Sequence, residues 1–238
     1  MMRRSAVLAA VAIGVILACA VVPPEVGSAL IFALDSAGLL VAIALVAAIG
    51  REAWRHQRLA AGIGRLARPA TLHGRPIGLV PGLAGAVVAG LHRPRIFCAE
   101  DLPGRLDEDE LRAVILHEHH HQLSRAPIRI ALIDAVAPVL GRFEAGRAWM
   151  EGVRARVEIA ADSYALASGA SRPALASALL KLASGAGLSV APGFATASEL
   201  RVRALLGEEP ETRRGRSLPA LFVVALVVVA SCLVLYPL

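Results

Sequence analysis

The chain has 238 residues, of which 56% are hydrophobic, and carries a formal net charge of +6. A mean hydropathy of +0.62 is too apolar for an ordinary soluble domain. The sequence pI is about 10.2, but aromatic residues make up only 4% and the arginines are scattered or flank apolar segments. The composition therefore argues against direct nucleic-acid binding and favours contact with anionic lipid headgroups.

Three apolar segments have lengths typical of membrane-spanning helices, at residues 6–22, 28–50 and 218–238. Arginines precede the first segment, follow the second and precede the third, which by the positive-inside rule places the central region in the cytoplasm. We expect a multi-pass protein of a bacterial-type cell membrane, with the lipid bilayer as a partner. The expected domains are a transmembrane hairpin (1–50), a cytoplasmic catalytic domain (51–217) and a C-terminal transmembrane helix (218–238).

Two readings of the first segment stay open. Residues 16–19 read Ile-Leu-Ala-Cys after an apolar run, which resembles a bacterial lipoprotein cleavage site at Cys19. The alternative is an uncleaved membrane helix. The three cysteines match no paired framework, and a cytoplasmic domain needs no disulfides.

Residues 51–72 read as a basic, partly helical linker. Short apolar runs rich in Gly, Val and Pro follow at 77–80, 85–89 and 95–98, and they predict a small antiparallel sheet with a turn at 91–94. We expect the strand formed by Arg95, Ile96, Phe97 and Cys98 to present an edge to which an extended substrate adds as another strand.

Residues 117–121 read His-Glu-His-His-His and contain the pattern H-E-x-x-H. Asp107 and Glu110 form a capping box that starts a helix before this motif. On that helix His117 and His121 lie on one face, one turn apart, so their imidazoles can bind one zinc ion. Glu118 beside them can take a proton from a water that the zinc activates.

A hydrolytic zinc site usually takes three protein ligands, so a third is needed downstream. Glu158 and Asp162 are four residues apart on a helix predicted at 144–168. Glu158 can bind the metal, and Asp162 can accept a hydrogen bond from a ligand histidine and fix its tautomer. A further helix is predicted at 171–184. Residues 126–141 are apolar but charged, and form a helix that is either buried in the domain or lies at the membrane interface.

Residues 90–121 resemble the core of the membrane zinc metallopeptidases typified by the beta-lactam sensor-transducers, and the likeness covers roughly residues 75–206. The family has a G-x-x-x-P-x-I strand, the H-E-x-x-H helix, an E-x-x-x-D helix and an R-[IV]-x-x-L-L element, which begins here at Arg201. The zinc motifs are shared with the prenyl-protein and heat-shock membrane proteases. The resemblance implies that Arg201 stabilises charge on the substrate. Residues 122–127 lack the acid that the family carries there, and no penicillin-binding domain follows.

These expectations define an α+β, mainly helical membrane protein with a zincin-like (gluzincin) catalytic domain. Its function would be that of a zinc metalloendopeptidase with one zinc ion per chain, cleaving a protein or peptide substrate at the cytoplasmic face. The resemblance implies regulatory proteolysis, for example of a transcriptional repressor. Two alternatives stay open: a quality-control protease of the heat-shock type, and a non-catalytic signalling or scaffold protein with a degenerate site.

Overall fold

The computed structural model describes residues 24–185 and residue 201. The chain divides into two compact units, Met1–Val46 with Phe222–Leu238, and Ala47–Leu221. The described part of the first unit is the beginning of helix α1, Pro24–Leu66, and the remainder of this 43-residue helix belongs to the second unit. The sheet and the other described helices all lie in the second unit.

Within residues 24–185 and 201, no helix combines the length and the apolar character that crossing a bilayer requires. The predictions of three transmembrane helices and of a multi-pass location in the cell membrane are therefore wrong for this part of the chain. In α1 the described side chains form an apolar run only up to Gly50, and the helix continues without a break into the charged residues Arg51, Glu52 and Arg55. The other two predicted spans, 6–22 with Cys19 and 218–238, lie outside the described residues.

Four strands form the sheet: β1 (Arg68–Leu72), β2 (Arg75–Val80), β3 (Ala86–Ala89) and β4 (Arg95–Ala99). Their spatial order is β1-β2-β4-β3. The β1–β2 and β3–β4 pairs are antiparallel, but β2 and β4 are parallel. The predicted antiparallel sheet is thus a mixed sheet, because β4 inserts between β2 and β3 instead of adding at the outside.

Strand β1 was not expected, since its residues fall in the predicted helical linker. It forms a hairpin with β2 in which Leu72 pairs with Arg75, so only His73 and Gly74 make the turn. Both turn residues have positive φ, 47° and 72°. Two-residue turns of this kind match the twist of paired strands and favour glycine, so the His-Gly pair was a usable signal.

Five helices follow the sheet: α2 (Leu102–Arg105), α3 (Glu108–Leu123), α4 (Ala126–Leu140), α5 (Glu144–Ala167) and α6 (Arg172–Gly185). The last two agree with prediction to within one residue at each end. Helix α4 packs against α3 and α5 and buries Ala131, Ile133 and Ala135. Its other side exposes Leu132 and Val139, so the helix packs on the domain by one face, and a position at the membrane interface stays a prediction. The fold is α+β and mainly helical, as predicted.

The predicted capping box of α3 is confirmed. The Asp107 carboxylate accepts a hydrogen bond from the Glu110 backbone N–H, and the Glu110 carboxylate accepts one from the Asp107 N–H, both at 2.9 Å. Glu110 also accepts bonds from Ser177 at 2.5 Å and from Lys181 at 2.6 Å, both on α6. The hydrogen bond from Lys181, with those from Ser177 and Asp107, lowers the pKa of the Glu110 carboxyl to about 2. This buried carboxylate therefore ties the start of α3 to α6.

The hydrophobic core lies between the sheet, α3 and α6. Its largest fully buried side chains are those of Phe97, Ile96, Leu102, Ile115 and Cys98. The core supports the inner face of α3 over its whole length, from Leu111 through Ile115 to the buried His117 and His121. The H-E-x-x-H motif therefore lies on a helix that packs firmly against the core.

Candidate metal centre

Helix α3 aims both motif histidines at one point. Their side chains are buried, their ring planes are nearly perpendicular, and their ring centroids are 4.6 Å apart. The Nε2 atom of His117 lies 3.0 Å from the Nε2 atom of His121. One-turn spacing on a straight helix produces this convergence, as the sequence predicted.

Helix α5 brings Glu158 to the same point. One Glu158 oxygen lies 3.4 Å from His117 Nε2 and the other lies 3.5 Å from His121 Nε2. Among the described residues, His117, His121 and Glu158 form the group whose ligand atoms converge within 4.8 Å. A tetrahedral zinc ion with bonds of about 2.0–2.1 Å sets its ligand atoms about 3.3 Å apart. The three spacings of 3.0, 3.4 and 3.5 Å fit that requirement.

Asp162 orients His117. Its Oδ1 atom lies 2.8 Å from His117 Nδ1, so the predicted hydrogen bond from a ligand histidine is present. With a proton on Nδ1, the imidazole keeps its Nε2 lone pair for a metal. Asp162 is 4% exposed, and the hydrogen bonds from His117 and Arg201 outweigh its burial and lower its pKa. The carboxylate is thus held in its charged form.

Arg201 forms ion pairs with Glu158 and Asp162 of α5. Its Nε and one terminal nitrogen each lie 2.8 Å from an Asp162 oxygen, and its other terminal nitrogen lies 3.2 Å from Glu158. Its side chain is only 13% exposed. A forked guanidinium–carboxylate pair of this kind fixes orientation as well as charge. Each nitrogen of Arg201 contacts Glu158 or Asp162, which gives it a positioning role, and its expected role toward substrate charge stays a prediction.

The protonation of the two histidines differs. Burial disfavours the His117 imidazolium, but the hydrogen bonds to Asp162 and Glu158 outweigh it and raise the pKa of His117 to about 9. Burial, together with the positive charge of His117, lowers the pKa of His121 to about 4. Burial acts to raise the pKa of Glu158, but it is outweighed. The hydrogen bond with His117 is the largest of the effects that together lower this pKa to about 2. A metal cation bound to His117 Nε2 in place of a proton would interact favourably with the same Glu158 carboxylate.

The charges of the centre match a divalent cation. Glu158 and Asp162 are ionised and are opposed by the single guanidinium of Arg201, so with neutral histidines one negative charge is left over before Glu118 is counted. Buried charges are stable only when they are paired or bind a metal. The donor set of two imidazoles and one carboxylate is one that zinc prefers in catalytic sites, so the residues fit the metal.

His121 lacks the outer partner that His117 has. Its Nδ1 atom is buried, and no described residue bonds to it. Residues 122–127 contain no acid, which is where the resemblance would have placed one. Ligand histidines almost always donate their second ring nitrogen to a carboxylate, carbonyl or water. The position is therefore open to a water or to a residue outside the described ranges.

Glu118 lies beside the metal ligands, at the free edge of the sheet. Burial raises the pKa of its carboxyl to about 7, and the charge of His117 and the nearby backbone N–H of Val88 in β3 act against this rise. Since β4 pairs with the other edge of β3, this N–H points away from the sheet. Glu118 and the outer edge of β3 therefore face the same space.

The expected substrate strand is placed differently. Strand β4 is hydrogen-bonded on both sides, to β2 and to β3, so Arg95, Ile96, Phe97 and Cys98 offer no free edge. Ile96, Phe97 and Cys98 are buried, while Arg95 is exposed with its guanidinium 5.5 Å from the Phe97 ring centroid. The prediction that this strand receives substrate is wrong. The outer strands of the sheet are β1 and β3, and β3 is the one near Glu118; the sequence analysis recognised it as a strand but not as an outer one.

Comparison of the chain with protein-family models, with curated proteins and with solved structures finds no match. The likeness to the membrane zinc metallopeptidases therefore rests on the motif residues alone and stays a prediction.

Proposed function

We propose that this protein is a zinc-dependent endopeptidase that hydrolyses an extended peptide segment of a protein substrate. The observation that carries the proposal is the convergence of His117, His121 and Glu158 beside a buried Glu118. These three ligands would hold one zinc ion per chain, with a fourth position left for water or substrate. When bound, zinc would act as a Lewis acid that lowers the pKa of a water and polarises a peptide carbonyl.

Glu118 is the proton carrier in this proposal. Its carboxylate accepts a proton from the water as the water oxygen attacks the peptide carbonyl carbon. It then donates that proton to the amide nitrogen as the C–N bond breaks. Burial raises the pKa of Glu118, so its carboxylate binds a proton more tightly than an exposed one, which suits a proton acceptor.

Strand β3 supports a peptide substrate over a small one. Strand β3 is an outer strand of the sheet, and alternation along it directs the backbone groups of Ala86 and Val88 to its unpaired side. An extended peptide can pair with this edge and bring one of its carbonyls to the metal. Regulatory cleavage of a repressor remains the substrate role that the sequence resemblance suggests.

The test combines metal content with peptide-bond cleavage. Wild-type protein is expected to bind about one zinc and to cleave an unfolded protein substrate. Glu118→Gln should keep the zinc and lose cleavage, while His121→Ala should lose both. His120→Ala is the matched control, because His120 is on the same helix with its ring against Tyr164, and it should retain both. Equal cleavage by wild-type and Glu118→Gln proteins would reject the proposed enzyme and favour a non-catalytic protein.

The Glu118→Gln variant also identifies the substrate. A variant that binds zinc and substrate but cannot hydrolyse should retain its target, which cross-linking and mass spectrometry can identify. Recovery of one regulatory protein would support regulatory proteolysis. Recovery of many unfolded proteins would instead indicate a quality-control protease.

A further inference from the structure

A second concave surface lies on the C-terminal half of α1, and none of its lining residues belongs to the metal centre. It has a volume of about 1050 Å³ and lies between α1 and the end of α4, with Val80 of β2 also lining it. The residues of α1 that line it run from Arg51 to Leu66. At 1.5 Å per residue this is a groove about 22 Å long. We call it the α1 groove.

One end of the α1 groove is basic. Arg51, Arg55 and Arg58 line it, with the side chains of Arg51 and Arg55 59% and 66% exposed. Trp54 lies between them, 59% exposed, with the Arg58 guanidinium 4.5 Å from its ring centroid. Three guanidinium groups within two turns of one helix form a site suited to a carboxylate or phosphate.

The carboxylates at this end already have cationic partners. Glu52 is 5% exposed and accepts hydrogen bonds from Arg55 at 3.1 and 3.2 Å. Asp134 of α4 lies 2.5 Å from Arg154 and 3.3 Å from His56. Arg51, Arg55, Arg58 and Arg154 therefore outnumber the two acids by two, and the local charge favours an anion.

The other end of the α1 groove is apolar. Leu59, Gly62, Ile63 and Leu66 line it from α1. Leu59 and Leu66 are 61% and 62% exposed, so this end has uncovered hydrocarbon surface. A Cβ atom added at Gly62 would meet no atom within 4 Å. The groove thus has room beside Gly62 for an apolar ligand.

We propose that the α1 groove binds one monomeric, single-chain anionic amphiphile of the long-chain carboxylate type. Its acidic head lies among Arg51, Arg55 and Arg58, and its hydrocarbon chain runs past Gly62 to Leu66. The separation of charge and apolar surface along the axis carries the choice of ligand. An amphipathic peptide helix would need an apolar floor along the whole groove with charges on its rims. Here the charges occupy residues 51–58 and the apolar positions 59–66.

Trp54 supplies the signal for the test. The chain has two tryptophans, so Trp149→Phe leaves Trp54 as the sole indole fluorophore. The full-length, zinc-loaded variant is titrated with 9,10-dibromostearate, whose bromines quench nearby tryptophan, in a detergent-free buffer below the micelle concentration. We expect saturable quenching at one ligand per chain. In competition with unbrominated carboxylates, each added pair of methylenes should strengthen binding up to about tenfold.

Two matched pairs of variants test the position of the ligand. Gly62→Leu fills the apolar end and should weaken binding at least tenfold. Gly64→Leu should leave binding unchanged, because Gly64 lies on the same helix but does not line the groove, and a Cβ there also meets no atom within 4 Å. Both changes raise helix propensity, so the fold should persist. At the basic end, Arg51→Gln should weaken binding several-fold and Arg65→Gln should not.

Several outcomes would overturn the proposal. Non-saturable quenching, or equal loss in Gly62→Leu and Gly64→Leu, would mean non-specific hydrophobic contact. Equal binding of the methyl ester would remove the arginine site for the head. Binding to anionic phosphatidylglycerol vesicles without binding of the monomer would assign the surface to a bilayer. Tighter binding of an acidic helical peptide that displaces the carboxylate would assign it to a protein partner.

Discussion

The metal centre and the α1 groove use the same residue type in opposite ways. Arg201 is 13% exposed and is clamped between two carboxylates of α5, whereas Arg55 is 66% exposed and Arg51 is 59% exposed. In the candidate metal centre, Arg201 holds Glu158 and Asp162 in place. In the groove, Arg51 and Arg55 share the single carboxylate of Glu52, and their side chains remain largely exposed. Burial and acidic partners, more than residue type, decide the role of an arginine. A buried and paired arginine positions other side chains, whereas an exposed one is available to bind a ligand.

The largest expected effect is the loss of a metal ligand. Glu158→Ala removes the only carboxylate that contacts both ligand histidines in the described part of the chain. Zinc affinity should fall by more than about 100-fold, since loss of an outer partner alone costs up to about that much. Competition with a chelator measures it. Full zinc occupancy in this variant would remove Glu158 from the ligand set.

The next effect concerns the carboxylate behind the ligand. Asp162→Asn keeps the shape of the side chain but loses the charge that orients His117 and pairs with Arg201. We expect zinc affinity or cleavage to fall about 10- to 100-fold without unfolding. Asp134→Asn in the α1 groove is the matched control, and zinc affinity should not change there. Equal effects at Asp134 and Asp162 would contradict the distinction between the two regions.

Glu110 is a buried charged residue that belongs neither to the candidate metal centre nor to the α1 groove. Glu110→Gln should lower the free energy of unfolding by about 1.5 kcal/mol, because it weakens charged hydrogen bonds from Lys181 and Ser177. The effect stays moderate because Lys181 is 45% exposed and can be solvated by water. Urea unfolding measures it, and a change below about 0.5 kcal/mol would show that the α3–α6 link is dispensable.

The same pair predicts a pH dependence. The pKa of Glu110 is about 2 in the folded protein and 4.5 ordinarily. A carboxyl with a lowered folded pKa stabilises the fold above the ordinary value, and that stability is lost as the pH falls from 4.5 toward 2. The free energies of unfolding of wild-type and Glu110→Gln proteins should therefore converge in acid. Parallel curves over that range would contradict the assignment.

The smallest effect is expected in the groove. Arg58→Gln removes an exposed charge and a contact with Trp54, so the free energy of unfolding should change by less than about 1 kcal/mol. Arg201→Gln, which takes the guanidinium away from the carboxylates of Glu158 and Asp162, should cost more than Arg58→Gln under the same conditions. Thermal unfolding of the two variants makes the comparison. A larger loss for Arg58→Gln would mean that the groove arginines hold the fold together.

What the sequence predicted well was local. The positions of His117, His121 and Asp162 follow from one-turn spacing on helices whose ends carry readable signals, such as the capping box at Asp107. What it missed was non-local. The sequences of β3 and β4 are both short apolar runs, so neither shows which strand lies at the outside of the sheet. The pairing of the strands places β3 there. Arg201 contacts Asp162 although the two residues are 39 positions apart in the sequence. The periodicity of a helix relates only residues a few positions apart, so it could not predict this contact.

That separation has a consequence for the order of synthesis. Glu158 and Asp162 leave the ribosome well before Arg201, and chains begin to fold from the N-terminal side as they emerge. Until Arg201 arrives, the two carboxylates lack the guanidinium that neutralises and aligns them. A nascent chain would thus carry its metal-binding side chains without their final geometry. The guanidinium that aligns Asp162 therefore arrives only after a further 39 residues have been synthesised.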